Sequence, residues 1–178
     1  MKVALSVKQI ELAKPGGMLA DIRSLKESDI EELCALCDFC IERAEGEWYC
    51  AGGMQDFERY RQNGLGIGAF AEGMLIAYAF AAYKEGGRNA SALLYSQSER
   101  RAVLDILEVV VHPDYRGNGI QKLLVGILED IGRQVGFYKV LAGVNEKDKI
   151  SIANLQHLGY EIKASSPCIL EKEIKSVK

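Results

Sequence analysis

Leu104-Asp105-Ile106-Leu107-Glu108-Val109-Val110-Val111-His112-Pro113-Asp114-Tyr115-Arg116-Gly117-Asn118-Gly119-Ile120-Gln121 decides how this chain folds. An apolar, partly β-branched run stops at a proline, crosses a short polar loop and reaches Arg-Gly-Asn-Gly. Directly after it, Ile120, Leu123, Leu124, Ile127, Leu128 and Ile131 recur at the spacing of one helical face. The stretch therefore predicts a buried strand, a glycine loop and an amphipathic helix that Gly136 ends. Backbone N–H groups gathered at such a helix start form a seat for a phosphate.

Outward from this stretch, the pattern continues as alternating elements. Downstream, a strand is predicted over residues 138–144, a short helix over 150–158 stopped by Gly159, and a closing hairpin from residues 160–164 and 168–174. Upstream, residues 65–71 and 74–83 are two strands joined at Glu72-Gly73. Residues 84–101 are polar and predict an irregular loop. A brief strand at Ile22-Arg23 feeds a helix over residues 28–44, opened by the capping box Ser28-Asp29-Ile30-Glu31. A second, shorter helix is predicted over residues 54–63. The first 20 residues carry a short apolar run and the turn Lys14-Pro15-Gly16-Gly17, read as an extra strand or arm. The order β-α-α-β-β-β-α-β-α-β-β describes a mixed α/β sheet with both crossover and hairpin connections.

Composition sets the outer bounds. At 178 residues the chain predicts one domain, with 1–20 as an extension and 21–178 as the folded unit. A net charge of −3 argues against a general nucleic-acid binder. The longest apolar stretches, such as residues 73–83, fall short of the ~20 residues of a membrane span. Lys8 and Glu11 interrupt the apolar block at the start, so no secretion signal is read and a cytoplasmic protein is expected.

Cys34, Cys37 and Cys40 have a spacing that suggests a metal or iron–sulfur site. They also lie in the predicted first helix, where Ile30, Leu33, Cys34, Cys37 and Ile41 share one stripe. A rigid helix spreads positions i and i+6 too far round for easy ligation of one ion, and buried free cysteine behaves as a small hydrophobe. No metal ligands are therefore assigned, and the odd total of five cysteines argues against a disulfide framework.

Two phosphate-binding patterns fail on their residues. A dinucleotide fingerprint needs a third glycine where Lys122 stands, and the loop from Val111 is too long; a P-loop would need Gly-Lys followed by Ser or Thr. Arg116-Gly117-Asn118-Gly119-Ile120-Gln121 instead resembles the signature of the GNAT superfamily of acetyl-CoA-dependent N-acyltransferases, with Gln121 in place of the final small residue. The resemblance runs from about Ile22 to the C-terminus. It includes the strand exit from Val111 to Tyr115, the hairpin from Gly68 to Tyr78 and the late Leu158-Gly159-Tyr160.

That resemblance implies a GNAT-like acyltransferase domain binding acetyl-CoA as cosubstrate. It places the pyrophosphate on the N–H groups of Gly117, Asn118 and Gly119, with Ile120 and Gln121 also counted as cofactor-binding. Arg116 and Lys122 would add charge, or Arg116 is simply a solvated surface residue. The pantetheine arm would run along Val109, Val110 and Val111, with the Val111 N–H polarising the thioester carbonyl. Glu108 is implied as the base that deprotonates the amine, with Asp105 second; a carboxylate on a solvated strand face is the competing reading of Glu108. Relatives carry an acid tyrosine where this chain has Leu155, and a CoA-contacting asparagine aligns with Asp148. Ser151 and Asn154 are left as polar contacts to pantetheine, or as capping and surface residues. Proton return to the thiolate then falls to water or Tyr160, or catalysis is weak and the chain is a CoA-binding sensor or partner subunit. His112 and His157 read as a turn and a helix-surface residue.

The acceptor is an amine of a small molecule or protein that the sequence does not identify. Trp48, Tyr49, Tyr60 and Tyr95 are candidates for its pocket or for core, and acidic Glu45, Glu47 and Asp56 suit a cation. A monomer or homodimer is expected. Metal analysis of the purified protein is expected to find neither stoichiometric zinc nor iron; one equivalent of either would reassign the three cysteines.

Overall fold

The computed structural model describes residues 7–14, 16–43, 64–83 and 90–174. The predicted helix over 54–63, Cys50, and the pocket candidates Trp48, Tyr49 and Tyr60 with Glu45, Glu47 and Asp56 lie outside the described residues. Among those described, eight strands form one sheet in the order β1-β2-β3-β4-β5-β6-β8-β7. Their spans are β1 Lys8–Leu12, β2 Met18–Ser24, β3 Gly64–Ala71, β4 Met74–Ala82, β5 Val103–Val111, β6 Lys139–Val144, β7 Glu161–Ser165 and β8 Cys168–Glu173. All neighbours are antiparallel except β5 and β6, which the crossover helix α4 (Ile120–Val135) makes parallel. The fold is mixed α/β, as the element order predicts.

Alternation along β4 sorts the two faces. Ala77, Ala79 and Ala81 point to the α4 side, where Leu124, Leu128 and Ile131 of that helix close over them. Small residues there let the helix sit close to the sheet. Tyr78 and Phe80 point the other way, into a second cluster with Leu33, Leu36 and Cys37 of α1 (Ile30–Glu42). At the end of α4, Gly136 takes a left-handed φ of 96°, and the N–H of Phe137 donates back to Gly132 O at 2.9 Å.

Four expectations change in detail. The first strand is a full seven residues, Met18–Ser24, and pairs with Lys8–Leu12 of the N-terminal segment. Part of residues 84–101 is ordered as two short helices, α2 (Ser91–Leu94) and α3 (Gln97–Arg100). The stripe on α1 is rotated: Leu33, Leu36, Cys37 and Cys40 are buried, Cys34 is half-buried and Ile41 is exposed.

The fourth change is at the helix start. Chain entry is set by a 3₁₀ turn over Glu27–Asp29, and the box at Ser28 is not used. Asp29 accepts the Lys26 N–H at 2.7 Å and two bonds from the Arg23 guanidinium, at 2.7 and 2.9 Å.

Those bonds have a pH signature. The Arg23 guanidinium holds the Asp29 carboxyl below its ordinary value of 3.8, burial opposing and the Lys26 N–H assisting. A depressed folded-state pKa contributes stability above the unfolded value and loses it as pH falls through the folded one. Asp29→Asn should therefore cost about 2 kcal/mol at neutral pH. Denaturant titrations should show the gap to wild type closing as pH drops below the ordinary aspartate value.

Candidate active site

β5 and β6 pair only from Val103↔Lys139 to Ile106↔Ala142. Beyond that point β5 continues beside β4, and β6 continues beside β8 to Val144↔Cys168. The two strands part because each follows a different partner. A bulge sharpens the parting: Phe80 pairs with Glu108 and Ala81 with Ile106, so Leu107 is the extra residue. A cleft of about 370 Å³ opens there, walled by Glu108, Val109 and Val110 of β5, Gly143 and Val144 of β6, and Ser151 and Leu155 of α5 (Lys149–His157).

A second hollow of about 400 Å³ adjoins it at the strand exit. Val109, Val111, Arg116, Gly117, Gly119, Ile120, Gln121, Lys122, Ser151 and Asn154 line it. Val109, Gln121, Asp148 and Ser151 belong to both walls, so the two hollows form one groove. Of the residues expected to hold a cofactor, only Asn118 lines neither part. The Val110 side chain is buried against α1 and meets the groove only where β5 borders the cleft.

Backbone geometry furnishes the groove with donors. Gly117 and Gly119 sit at φ of 84° and 71°, a region that disfavours side chains, and a Cβ on either would project into open space. Gly119 caps α4 without a side-chain partner, so the first N–H groups of that 16-residue helix lack helical acceptors. On β5, the His112 N–H donates to Ile76 O at 2.9 Å, which sets the antiparallel phase. By alternation Val110 and Glu108 exchange bonds with β4, and Val109 and Val111 turn their N–H and C=O groups toward the parted edge. The Val111 carbonyl there accepts from Arg116 Nε at 3.3 Å.

Gln121 stands at the position where the signature has a small residue. Its Nε2 donates to Ser151 Oγ at 2.9 Å, and its Oε1 accepts from Asn154 Nδ2 at 2.6 Å. The Ser151 hydroxyl thereby keeps its own proton to give. Asp148 caps α5 by accepting the Ser151 N–H at 2.9 Å. The sequence does not disclose this cross-link of α4 to α5; its one signal is a long amide where a small residue is usual.

Glu108 lines the cleft, and its two carboxylate oxygens are shielded from bulk water. It lies toward α1, within electrostatic reach of Cys37. Burial pushes the Cys37 thiol up to about 11; a hydrogen bond with Tyr78 opposes the rise and Glu108 adds to it. That thiol stays protonated at neutral pH and is no nucleophile. Asp105, the second base candidate, is outside the cleft lining. Its carboxylate accepts the Ser91 N–H at 2.8 Å and the Ser91 hydroxyl at 2.5 Å, which anchors α2 to the sheet.

The profile of the acetyltransferase (GNAT) family matches residues 29–160, a span that holds β5, the glycine loop, α4 and α5. The chain belongs to the GNAT acetyltransferase family. It is 34% identical over 59 residues to the L-amino acid N-acyltransferase MnaT of Escherichia coli (strain K12), covering 33% of this chain and 34% of that protein. It is 43% identical over 60 residues to the glucosamine 6-phosphate N-acetyltransferase of Trypanosoma brucei brucei, 34% of this chain and 39% of that protein. The matches thus span little more than a third of those relatives' lengths.

Solved structures share the fold over nearly the whole described chain. An N-acetyltransferase from Staphylococcus aureus Mu50 has a TM-score of 0.70 at 16% identity, covering 88% of this chain and 99% of that chain. A GNAT superfamily phosphinothricin acetyltransferase from Sinorhizobium meliloti, solved in complex with AcCoA, has a TM-score of 0.69 at 19% identity, covering 88% and 89%.

Within this GNAT chain, the structure does not bring Tyr160 to the groove. Its ring is buried beneath α4 and lines neither hollow. Burial, then the Glu129 carboxylate, pushes its hydroxyl well above the ordinary tyrosine range. Tyr160 follows the left-handed Gly159, which turns it into the core beside Glu129 and Lys172. Leu155, where the resemblance leads one to expect an acid tyrosine, does line the cleft and has no proton to give. Tyr160→Phe is accordingly expected to leave the rate of acyl transfer within about twofold of wild type, measured by thiol release; a drop of ~10² or more, the size of a general-acid contribution, would put the hydroxyl back in the reaction.

Proposed function

We propose that this chain transfers an acetyl group from acetyl-CoA to a primary amine, of a small molecule or protein, by direct attack of the amine. One observation carries the reading: a single groove runs from left-handed glycines at a helix N-terminus to a carboxylate at the point where two strands part. The residues present suit the cosubstrate. Free N–H groups of the glycine loop and the first turn of α4 take the pyrophosphate, and Arg116 and Lys122 add charge at the rim. The turned-out main chain of Val109 and Val111 pairs with pantetheine as an added strand would. Ser151 and Asn154, braced by Gln121, supply polar contacts from the opposite wall.

Acetyl-CoA supplies the acyl group as a thioester. Glu108 takes the proton that the ammonium must lose before it can attack, since only the free amine is nucleophilic. The donor to the thioester carbonyl is assigned to the Val109 N–H. Val111, expected in that role from the sequence, lies at the phosphate end of the groove beside Arg116, whereas Val109 borders both hollows next to Glu108. With Leu155 at the family's acid position, water at the cleft mouth returns the proton to the departing thiolate. The described lining of the inner cleft carries Glu108, Glu146 and Asp148 and no lysine, arginine or histidine, which suits an acceptor that arrives as a cation. We further propose a cytoplasmic protein acting as a monomer or homodimer. Among the described residues no helix is long and apolar enough to cross a membrane.

Leu155 also favours a second reading, a GNAT domain that holds CoA but turns over little and serves as a sensor or partner subunit. Acetyl-CoA is expected to raise the melting temperature of the purified protein; no shift at millimolar ligand would sink both readings. CoA release during incubation with a panel of amines separates them. Gly119→Val, forced to a φ of 71°, should weaken CoA binding tenfold or more by calorimetry. Glu108→Gln should keep that binding and lower kcat by ~10²–10⁴. Full turnover by Glu108→Gln would remove the carboxylate from the mechanism.

A further inference from the structure

Asn118 stands between the two left-handed glycines of the loop, yet it lies outside the groove's lining. Its Oδ1 accepts the Lys14 main-chain N–H at 3.0 Å. Its Nδ2 donates to the Lys14 carbonyl at 2.6 Å and to the Tyr115 carbonyl at 2.9 Å. One side-chain amide thus engages both main-chain groups of a residue 104 positions away, as a paired strand would, and ties them to the turn just before the loop.

The partner is well anchored. Lys14 lies in the connection between β1 and β2, closed by the Gly17 N–H on Leu12 O at 3.1 Å. Leu12, Ala20 and Ile22 of this hairpin are fully buried in the main core. Met18 adds a second contact, its sulfur 4.0 Å from the Tyr115 hydroxyl.

The loop needs such an anchor. Gly117 and Gly119 are exposed, and a Cβ on either would meet nothing, so neighbouring side chains do little to hold their backbone. Glycine has the most conformational freedom to lose, and a ligand that must order the loop forfeits affinity for doing so. We propose that the N-terminal hairpin is part of the phosphate-binding apparatus, with Asn118 as a positioning residue that uses the Lys14 main chain to hold Gly117–Gly119 with their N–H groups ready for the CoA pyrophosphate. This rests on the reading of the groove as an acyl-CoA site. The element concerned is the N-terminal segment, which carries none of the signature residues.

The test uses the full-length chain and three readouts on wild type and Asn118→Ala. Hydrogen exchange reports the clasp itself: peptides spanning residues 8–18 and 113–119 should exchange faster in the variant. Calorimetry with CoA should show Kd rising about tenfold. The ³¹P resonances of bound CoA should change at the pyrophosphate and stay in place at the 3′-phosphate. Faster exchange with unchanged CoA affinity and pyrophosphate resonances would make the clasp merely structural and overturn the proposal. Unchanged exchange would overturn it at its first step. If Asn118→Ala does not fold, Asn118→Ser, too short to reach both Lys14 groups at once, takes its place with the same expected results. Wild-type protein that exchanges slowly at the clasp but does not bind CoA would instead overturn the reading of the groove.

Discussion

The structure turns on the divided loyalty of β5. For its first four residues it is a parallel neighbour of β6, and afterwards it belongs to β4 alone. Unpaired main-chain groups inside a sheet are costly unless something else takes them. At Val109 and Val111 the groups that lose a strand partner face the groove, where Arg116 Nε takes the Val111 carbonyl and the remaining edge can bind an extended ligand. The bulge at Leu107 directs Glu108 to the α1 side just where this edge begins. Pairing, bulge and carboxylate are thus one local arrangement, and a change to any of them shifts the other two.

α4 links this arrangement to the core. Its buried face, including Leu124, Leu128 and Ile131, lies on the alanines of β4, and that packing fixes where its N-terminus points. Helix stability in proteins comes mainly from such packing, so the donor groups of the first turn are aimed by apolar contacts well away from the groove. Gln121 then carries the order across to α5 through Ser151 and Asn154. The departure from the family signature at this position has a physical counterpart, a polar strut between the two helices that wall the groove.

Much of this was legible in the sequence because it follows from short-range periodicity. The six-position apolar stripe of α4, the glycines at its two ends and the β3–β4 hairpin each declare themselves within about twenty residues. What was hidden depends on register or distance. The bulge at Leu107 leaves no mark, since apolar neighbours look the same whether or not one is extra. On α1, Leu36 and Cys40 are buried while Ile41 is exposed, a choice between adjoining apolar faces that spacing alone does not make. Tyr160 looked available because Leu-Gly-aromatic marks a place along the chain and says nothing of which side of the sheet the ring takes. The Asn118 contact joins segments that no local pattern relates.

That last contact also bears on how the molecule assembles. α4 can wind from its own residues, but the bend ahead of it is completed by a bond that closes 104 positions of chain. Loop closure of this span costs entropy that only long-range packing returns, and non-local contacts tend to form late. The expected order is therefore the core with its strand pairs first and the glycine bend last. A nascent chain would bury its hydrophobic residues well before its anion seat acquired a definite shape.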